Sequence, residues 1–154
     1  MSRDGQGRRS ARRVSPFAAA SAAVPDRPEP HPYQESMTKY VEGFVLAVPK
    51  ANKEQYLQHA RQALPIFKEM GISRGVECWG DDVPEGKVTD FRRAVQAAPD
   101  EEVVFSWFEY SSKEVRDAVY QKMMDDPRMQ AMSKNMPFDG KRMIFGGFVP
   151  ILDA

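Results

Sequence analysis

The sequence predicts an α+β domain in which an antiparallel sheet carries two helices on one face. Three observations predict it. Four runs rich in β-branched and aromatic residues alternate with two longer stretches of helical apolar spacing. Clusters of Pro, Gly and Asp fall between these runs. Among 154 residues there is a single cysteine, Cys78, so no internal disulfide framework exists and apolar burial must hold the domain.

Tyr40 to Val48 (YVEGFVLAV) reads as the first strand, closed by Pro49. Asn52 offers a helix N-cap, with Gln55 in capping-box position. The helix that follows runs to about Met70 and stops at Gly71, with Tyr56, Leu57, Ala60, Leu64 and Phe67 as its apolar stripe. Pro65 removes a backbone donor and is expected to kink or split this helix between Arg61 and Leu64. Ser73 to Trp79 is the second strand, and Gly80 to Gly86 a loop. Lys87 to Val95 reads as a further short strand. Val103 to Tyr110 (VVFSWFEY) is the third main strand. Ser111, with Glu114 three residues on, is expected to cap the second helix, whose buried side is Val115, Ala118 and Val119. Asp126 and Pro127 open a short helical turn through Met129 and Met132, and Met143 to Ile151 forms the last strand. The order is β-α-β-β-α-β, the ferredoxin-like arrangement.

Composition divides the chain near Met37. Residues 1–36 carry a net charge of +2, five prolines and an Ala/Ser stretch, which predicts a disordered Arg/Pro/Ala-rich extension preceding a 37–154 domain. A start codon assigned too far upstream, a dispensable extension and a targeting signal are the three readings of it. Lys+Arg 22 balances Asp+Glu 22, so the domain is left at −2. That balance predicts no nucleic-acid partner. No apolar run reaches the ~20 residues of a membrane helix, and the cytoplasm is the expected location.

An antiparallel sheet with one wetted face alternates apolar and polar residues. These strands do not. Val103, Phe105 and Trp107 point one way and Val104, Phe108 and Tyr110 the other, and Met143, Phe145 and Val149 oppose Ile144 and Phe148. Both faces are apolar, so a second layer must cover the face without helices. A homodimer joined sheet to sheet is the economical solution. The alternative is that Gly80–Val95 and the C-terminal turn fold back over that face.

Glu42, Glu77 and Glu109 interrupt apolar strands and are the candidate acid/base groups. Glu42 and Glu109 are expected as neighbours on the central strands, with Trp107 and Phe44 beside them. Each carboxylate otherwise sits solvated or paired with Arg74, Arg142 or Lys141. His59 is the domain's only histidine and the second candidate base. A pocket is expected from Trp107, Phe44, Trp79, Glu77 and Arg128, taking an apolar or aromatic compound. Cys78 is expected to be buried and inert. Asp81, Asp82, Glu85 and Asp90 have no metal-loop spacing, so no metal is assigned. No cofactor signature is present, and Gly146-Gly147 marks a bulge or a close approach.

The stretches YVEGFVLAVP (Tyr40–Pro49), VECWGDDVPEGKVTDFRRAV (Val76–Val95), EEVVFSWFEYSSKEVRDA (Glu101–Ala118), QKMMDDPRM and MPFDGKRMIFGGF resemble the YbaA family of small bacterial proteins of unknown function. The resemblance covers Met37 to the C-terminus. It implies a dimeric α+β barrel of ferredoxin-like protomers, with no established substrate and no catalytic residues. Two functions remain: a small-molecule-binding protein or cofactor-free enzyme, tested first at Glu42, Glu109, Trp107 and His59, or an interaction protein that binds a macromolecule.

Overall fold

A computed structural model describes residues 39–154; the 1–36 extension lies outside the described residues. Four strands form one antiparallel sheet: β1 (Tyr40–Pro49), β2 (Arg74–Trp79), β3 (Glu101–Tyr110) and β4 (Ile144–Phe148), in the order β2-β3-β1-β4. β1 and β3 are central and pair along their whole length, from Tyr40 opposite Tyr110 to Pro49 opposite Glu101. α1 (Lys53–Met70) and α3 (Lys113–Asp125) lie on one face. The fold is ferredoxin-like, as the order of elements predicts.

The helix-covered face buries Phe44, Leu46 and Val48 of β1 with Val104, Phe108 and Tyr110 of β3. Tyr56, Ala63, Phe67 and Met70 of α1 and Val119 of α3 close over them. Phe108 packs between Phe44 and Phe67, with ring centroids 5.1 and 5.2 Å away. α1 ends at Gly71, whose φ of 136° favours glycine. A Cβ there would also press on Val115 and Val119 at 3.1 and 3.2 Å, so this glycine lets α3 close over the end of α1.

Several local expectations are corrected. α1 is not divided at Pro65. Asn52 makes no side-chain cap; its amide donates to the Pro137 carbonyl at 3.1 Å and ties the start of α1 to the loop before β4. Ser112, not Ser111, caps α3 by accepting from the Val115 amide, because β3 keeps the chain extended to Tyr110. Ala118 is exposed and Val115 only half-buried. Lys87–Val95 is not a strand. The Asp90 carboxylate accepts from the Gly86 and Arg93 amides, which turns the chain into the short helix α2 (Phe91–Ala94). β4 is shorter than expected. The Asp126–Pro127 start is observed, opening α4 (Pro127–Met132) with Asp126 accepting from the Arg128 amide.

The other face of the sheet is partly covered. Val95, just after α2, is fully buried against Ala47 and Val103. Beyond that end the face is open and apolar: Phe105 is 45% exposed, Ile144 44% and Phe148 60%, with Phe91 of α2 at 51%. The fold-back alternative therefore describes one end of the face and not the rest. Cys78 is exposed, contrary to expectation, since it lies on this face of edge strand β2, opposite Phe105.

The loop before β4 is anchored by Arg142. Its guanidinium donates to both oxygens of the buried Glu101 carboxylate at 2.7 Å, and to Asp139 and the Gln96 carbonyl. Bonding to Arg142 holds the Glu101 carboxyl down at about 2. A folded-state value below the unfolded one means that the contribution is present above the unfolded glutamate range and fades as pH falls toward 2. E101Q is expected to cost about 1–3 kcal/mol at pH 7. Denaturant unfolding should show the gap to wild type shrinking steadily from pH 5 to pH 2.5.

Candidate functional site

The antiparallel register separates the two central carboxylates. Glu42 lies opposite Phe108, and Glu109 opposite Val41. Side chains alternate along a strand, so Glu42 points under the helices and Glu109 onto the open face. The expectation that they are neighbours is therefore wrong by one residue of register. Glu109 takes a hydrogen bond from Trp107 Nε1 at 3.1 Å and an ion pair from Arg74 at 3.3 Å. Trp107 and Glu109 thus belong to the apolar sheet surface and not to a pocket with Phe44.

Glu42 is 1% exposed and sits in a closed polar cluster. Its Oε1 accepts from the Tyr120 hydroxyl at 2.6 Å and its Oε2 from the Tyr110 hydroxyl at 3.2 Å. Arg116 lies 3.5 Å from Oε1, donates to the Tyr40 hydroxyl, and stacks on the rings of Tyr40 and Tyr120. Burial pushes the Glu42 carboxyl up, against the opposite pull of Tyr120, Arg116 and Tyr110. Gly147 of β4 admits this cluster, because a Cβ there would collide with the Tyr40 hydroxyl. Close approach at Gly147, and not a bulge, is what this pair provides, since β4 keeps its register with β1 through both glycines. Every ligating atom of Glu42 is occupied by protein, and α3 is bound to the sheet through it.

A cleft opens instead between α1 and the β2 side of the helix-covered face. Its volume is about 220 Å³. Leu57, Ala60 and Leu64 of α1 wall one side and Phe44 and Phe108 the floor, with Met143 and Phe138, which packs on Tyr56 at 5.8 Å, completing the lining. The apolar stripe read along α1 lines this cleft in full, with Tyr56 and Phe67 buried at its base and Leu57, Ala60 and Leu64 closer to solvent. Gly75 sets its depth, since a Cβ would meet Leu64 at 2.6 Å and Phe108 at 3.1 Å.

Polar groups enter this apolar space at one end. The Tyr56 hydroxyl donates to Glu77 Oε2 at 2.6 Å, and Ser106 neighbours Glu77 across the β2–β3 ladder. Glu77 is an exposed residue of an edge strand, and the partial burial of its carboxyl raises its pKa against the opposite pull of the Tyr56 and Ser106 hydroxyls. Burial lowers the pKa of His59, which also lines the cleft, so its imidazole is neutral at pH 7.

Of the sequence-derived candidates, Phe44, Glu77 and His59 therefore come together in one cleft. Glu42 and Glu109 do not join them. Trp79 lies beyond the cleft with Lys53 5.1 Å over its ring. Arg128 is exposed and engaged by Asp126 and Glu69, so it serves the α4 start. Tyr56, Ser106 and Gly75 were not singled out from the sequence. Tyr56 was legible only as an apolar-stripe residue, and the pairing that brings Glu77 beside Ser106 depends on register.

With this geometry established, comparison with known proteins gives the following. A family model described as a protein of unknown function (DUF1428) matches residues 39–140. A protein of Escherichia coli strain K12, described as uncharacterized protein YbaA, is 64% identical over 115 residues, covering 75% of this chain and 98% of that protein. A Shigella flexneri protein of the same description matches to the same extent. The motif resemblance is thus borne out. Among solved structures, a dimeric ferredoxin-like protein from an uncultured marine organism has a TM-score of 0.50 at 9% identity, covering 76% of this chain and 99% of that one.

Two substitutions separate the parts of the Glu42 cluster. E42A strands Tyr110, Tyr120 and Arg116 and is expected to cost about 3 kcal/mol or more in denaturant unfolding. E42Q keeps an acceptor for the tyrosines and costs less. Because the folded-state value is raised, the wild type loses stability relative to E42Q as pH rises above the ordinary glutamate value of 4.5. A wild-type advantage that grows with pH would contradict this.

Proposed function

The chain belongs to the DUF1428 family of proteins of unknown function, and on that footing we propose that it is a homodimeric small-molecule-binding protein. The single observation that carries the binding half of this reading is the cleft: apolar walls of Leu57, Ala60, Leu64 and Phe108, with Tyr56, Glu77 and His59 converging at one end. A few placed polar groups in an apolar recess is the usual composition of a ligand site. Its volume of about 220 Å³ suits a compact compound with one ring.

The assembly half rests on the open sheet face. Phe105, Ile144 and Phe148 form an apolar surface that stays largely open, met only by Phe91 of α2 edge-on to Phe105 at 6.2 Å. A self-complementary patch of this kind is closed most simply by a two-fold axis. The solved structure of the same fold, described as a dimeric ferredoxin-like protein, is consistent with it.

Two experiments test these halves. Titration with benzyl alcohol, followed by backbone amide NMR, should shift Ala60, Gly75 and Glu77, with a Kd in the millimolar range typical of so small a ligand (about 1–10 mM). A60F should abolish the shifts by filling the cleft, and shifts confined to other regions would refute the site. Native mass spectrometry should give twice the chain mass for wild type and a monomer for F105D, which places a charge in the apolar contact. A monomeric wild type would overturn the homodimer and leave the face to a macromolecular partner.

A further inference from the structure

We propose that the cleft is selective for apolar amines: the hydrophobic body lies against Leu57, Ala60 and Leu64, and the amino group donates to the Glu77 carboxylate. This assignment rests on the reading of the cleft as a ligand site and names the chemistry of its occupant.

Glu77 has no cationic partner among the described residues, and its two polar neighbours, Tyr56 and Ser106, are neutral. Other carboxylates in this fold that face apolar surroundings have a cation in reach. Glu42 has Arg116, Glu101 has Arg142 and Glu109 has Arg74. Glu77 alone among these four has only hydroxyl company, and it is the one that borders an open recess.

The geometry of the pair leaves room for a donor. Tyr56 is held by the core and fixes Oε2 of Glu77 at 2.6 Å. A carboxylate has about four lone-pair sites, so the hydroxyls of Tyr56 and Ser106 still leave it acceptor capacity for a further donor. An ammonium group answers this with charge as well as hydrogen bonds, and charge-assisted bonds are the stronger kind. Glu77 is exposed on its edge strand, so salt screens such a pair in part, and the apolar cleft wall shields it on one side only.

The other groups at the rim do not favour the opposite choice. His59 is held neutral by burial and offers no fixed positive charge to an anion. Arg61 also borders the cleft and is exposed, as Glu77 is, but among the described residues no hydrogen bond or ion pair fixes it there, whereas Tyr56 holds Glu77 in place. A carboxylate carried into the recess would meet a second acid group, the Glu77 carboxyl.

The test uses three probes with a common ring, benzylamine, benzyl alcohol and benzoate, titrated at pH 7 into the full chain and followed by amide NMR. The expected result is that benzylamine binds at least about tenfold more tightly than benzoate. E77Q should weaken benzylamine about tenfold and leave benzyl alcohol within about twofold. Y56F, which frees the second carboxylate oxygen, should retain the preference for the amine. Benzoate binding as tightly as benzylamine overturns the assignment whether or not either variant folds. Benzylamine binding that E77Q does not weaken overturns it as well. If none of the three probes binds, the cleft itself fails as a ligand site, a result distinct from binding without preference.

Discussion

The antiparallel pairing of β1 with β3 is the constraint on which the rest of the molecule depends. These two strands occupy the centre of the sheet and hold one another in register from end to end. In a pleated sheet with period two, that register decides the face of every side chain on both strands, and through β3 it decides the faces of β2 as well. Phe44, Leu46, Phe108 and Tyr110 then fall under the helices as a set, and Phe105, Trp107 and Glu109 fall outside as a set. A one-residue slip of β3 would turn Glu109 under the helices, and a one-residue slip of β1 would turn Glu42 out.

Buried charge is placed with similar economy. Glu42 would be a heavy liability on the core side without Tyr110, Tyr120 and Arg116 around it. Three elements supply these partners: β1 carries the acid, β3 one phenol, and α3 the other phenol and the guanidinium. The cluster therefore exists only when α3 is seated in the correct rotation. Apolar packing alone tolerates small rotations of a helix, whereas this arrangement does not. Glu101 and Arg142 do the corresponding work for the loop before β4.

Much of the fold was legible because its signals are local. The run YVEGFVLAV, the Asp126-Pro127 start and the Gly71 stop each act within a few residues, and each appears where the sequence places it. The expectations that failed needed information from further away. Asn52 looks like a cap, yet its amide serves Pro137, which lies in the loop before β4. Lys87–Val95 has strand-like composition, yet the Asp90 carboxylate collects backbone donors and turns the chain. The candidate site suffered most. Glu42 and Glu109 were read on adjacent strands correctly, but whether they meet is a question of odd or even register, which composition does not encode. Phe44, Glu77 and His59 could be named individually from polarity and ring chemistry. That Leu64 comes down over Gly75 to shape a recess beside them is a matter of packing between α1 and β2, visible only once both are placed.

The segment around α2 has a consequence for symmetry. Val95 caps the sheet at Ala47 and Val103, so the exposed surface is not centred on the strands but begins beyond that point. Any body resting on the sheet is displaced toward the opposite end, where Val41 and Glu109 lie side by side. For two identical chains the rotation axis must pass through the middle of the shared surface, so the displacement moves the axis with it. In the proposed homodimer the insertion between β2 and β3 would act as an end stop, its length and the bulk of residue 95 setting how far one sheet could slide over the other. Relatives that share the sheet but differ in this connection would stack their sheets with a different offset.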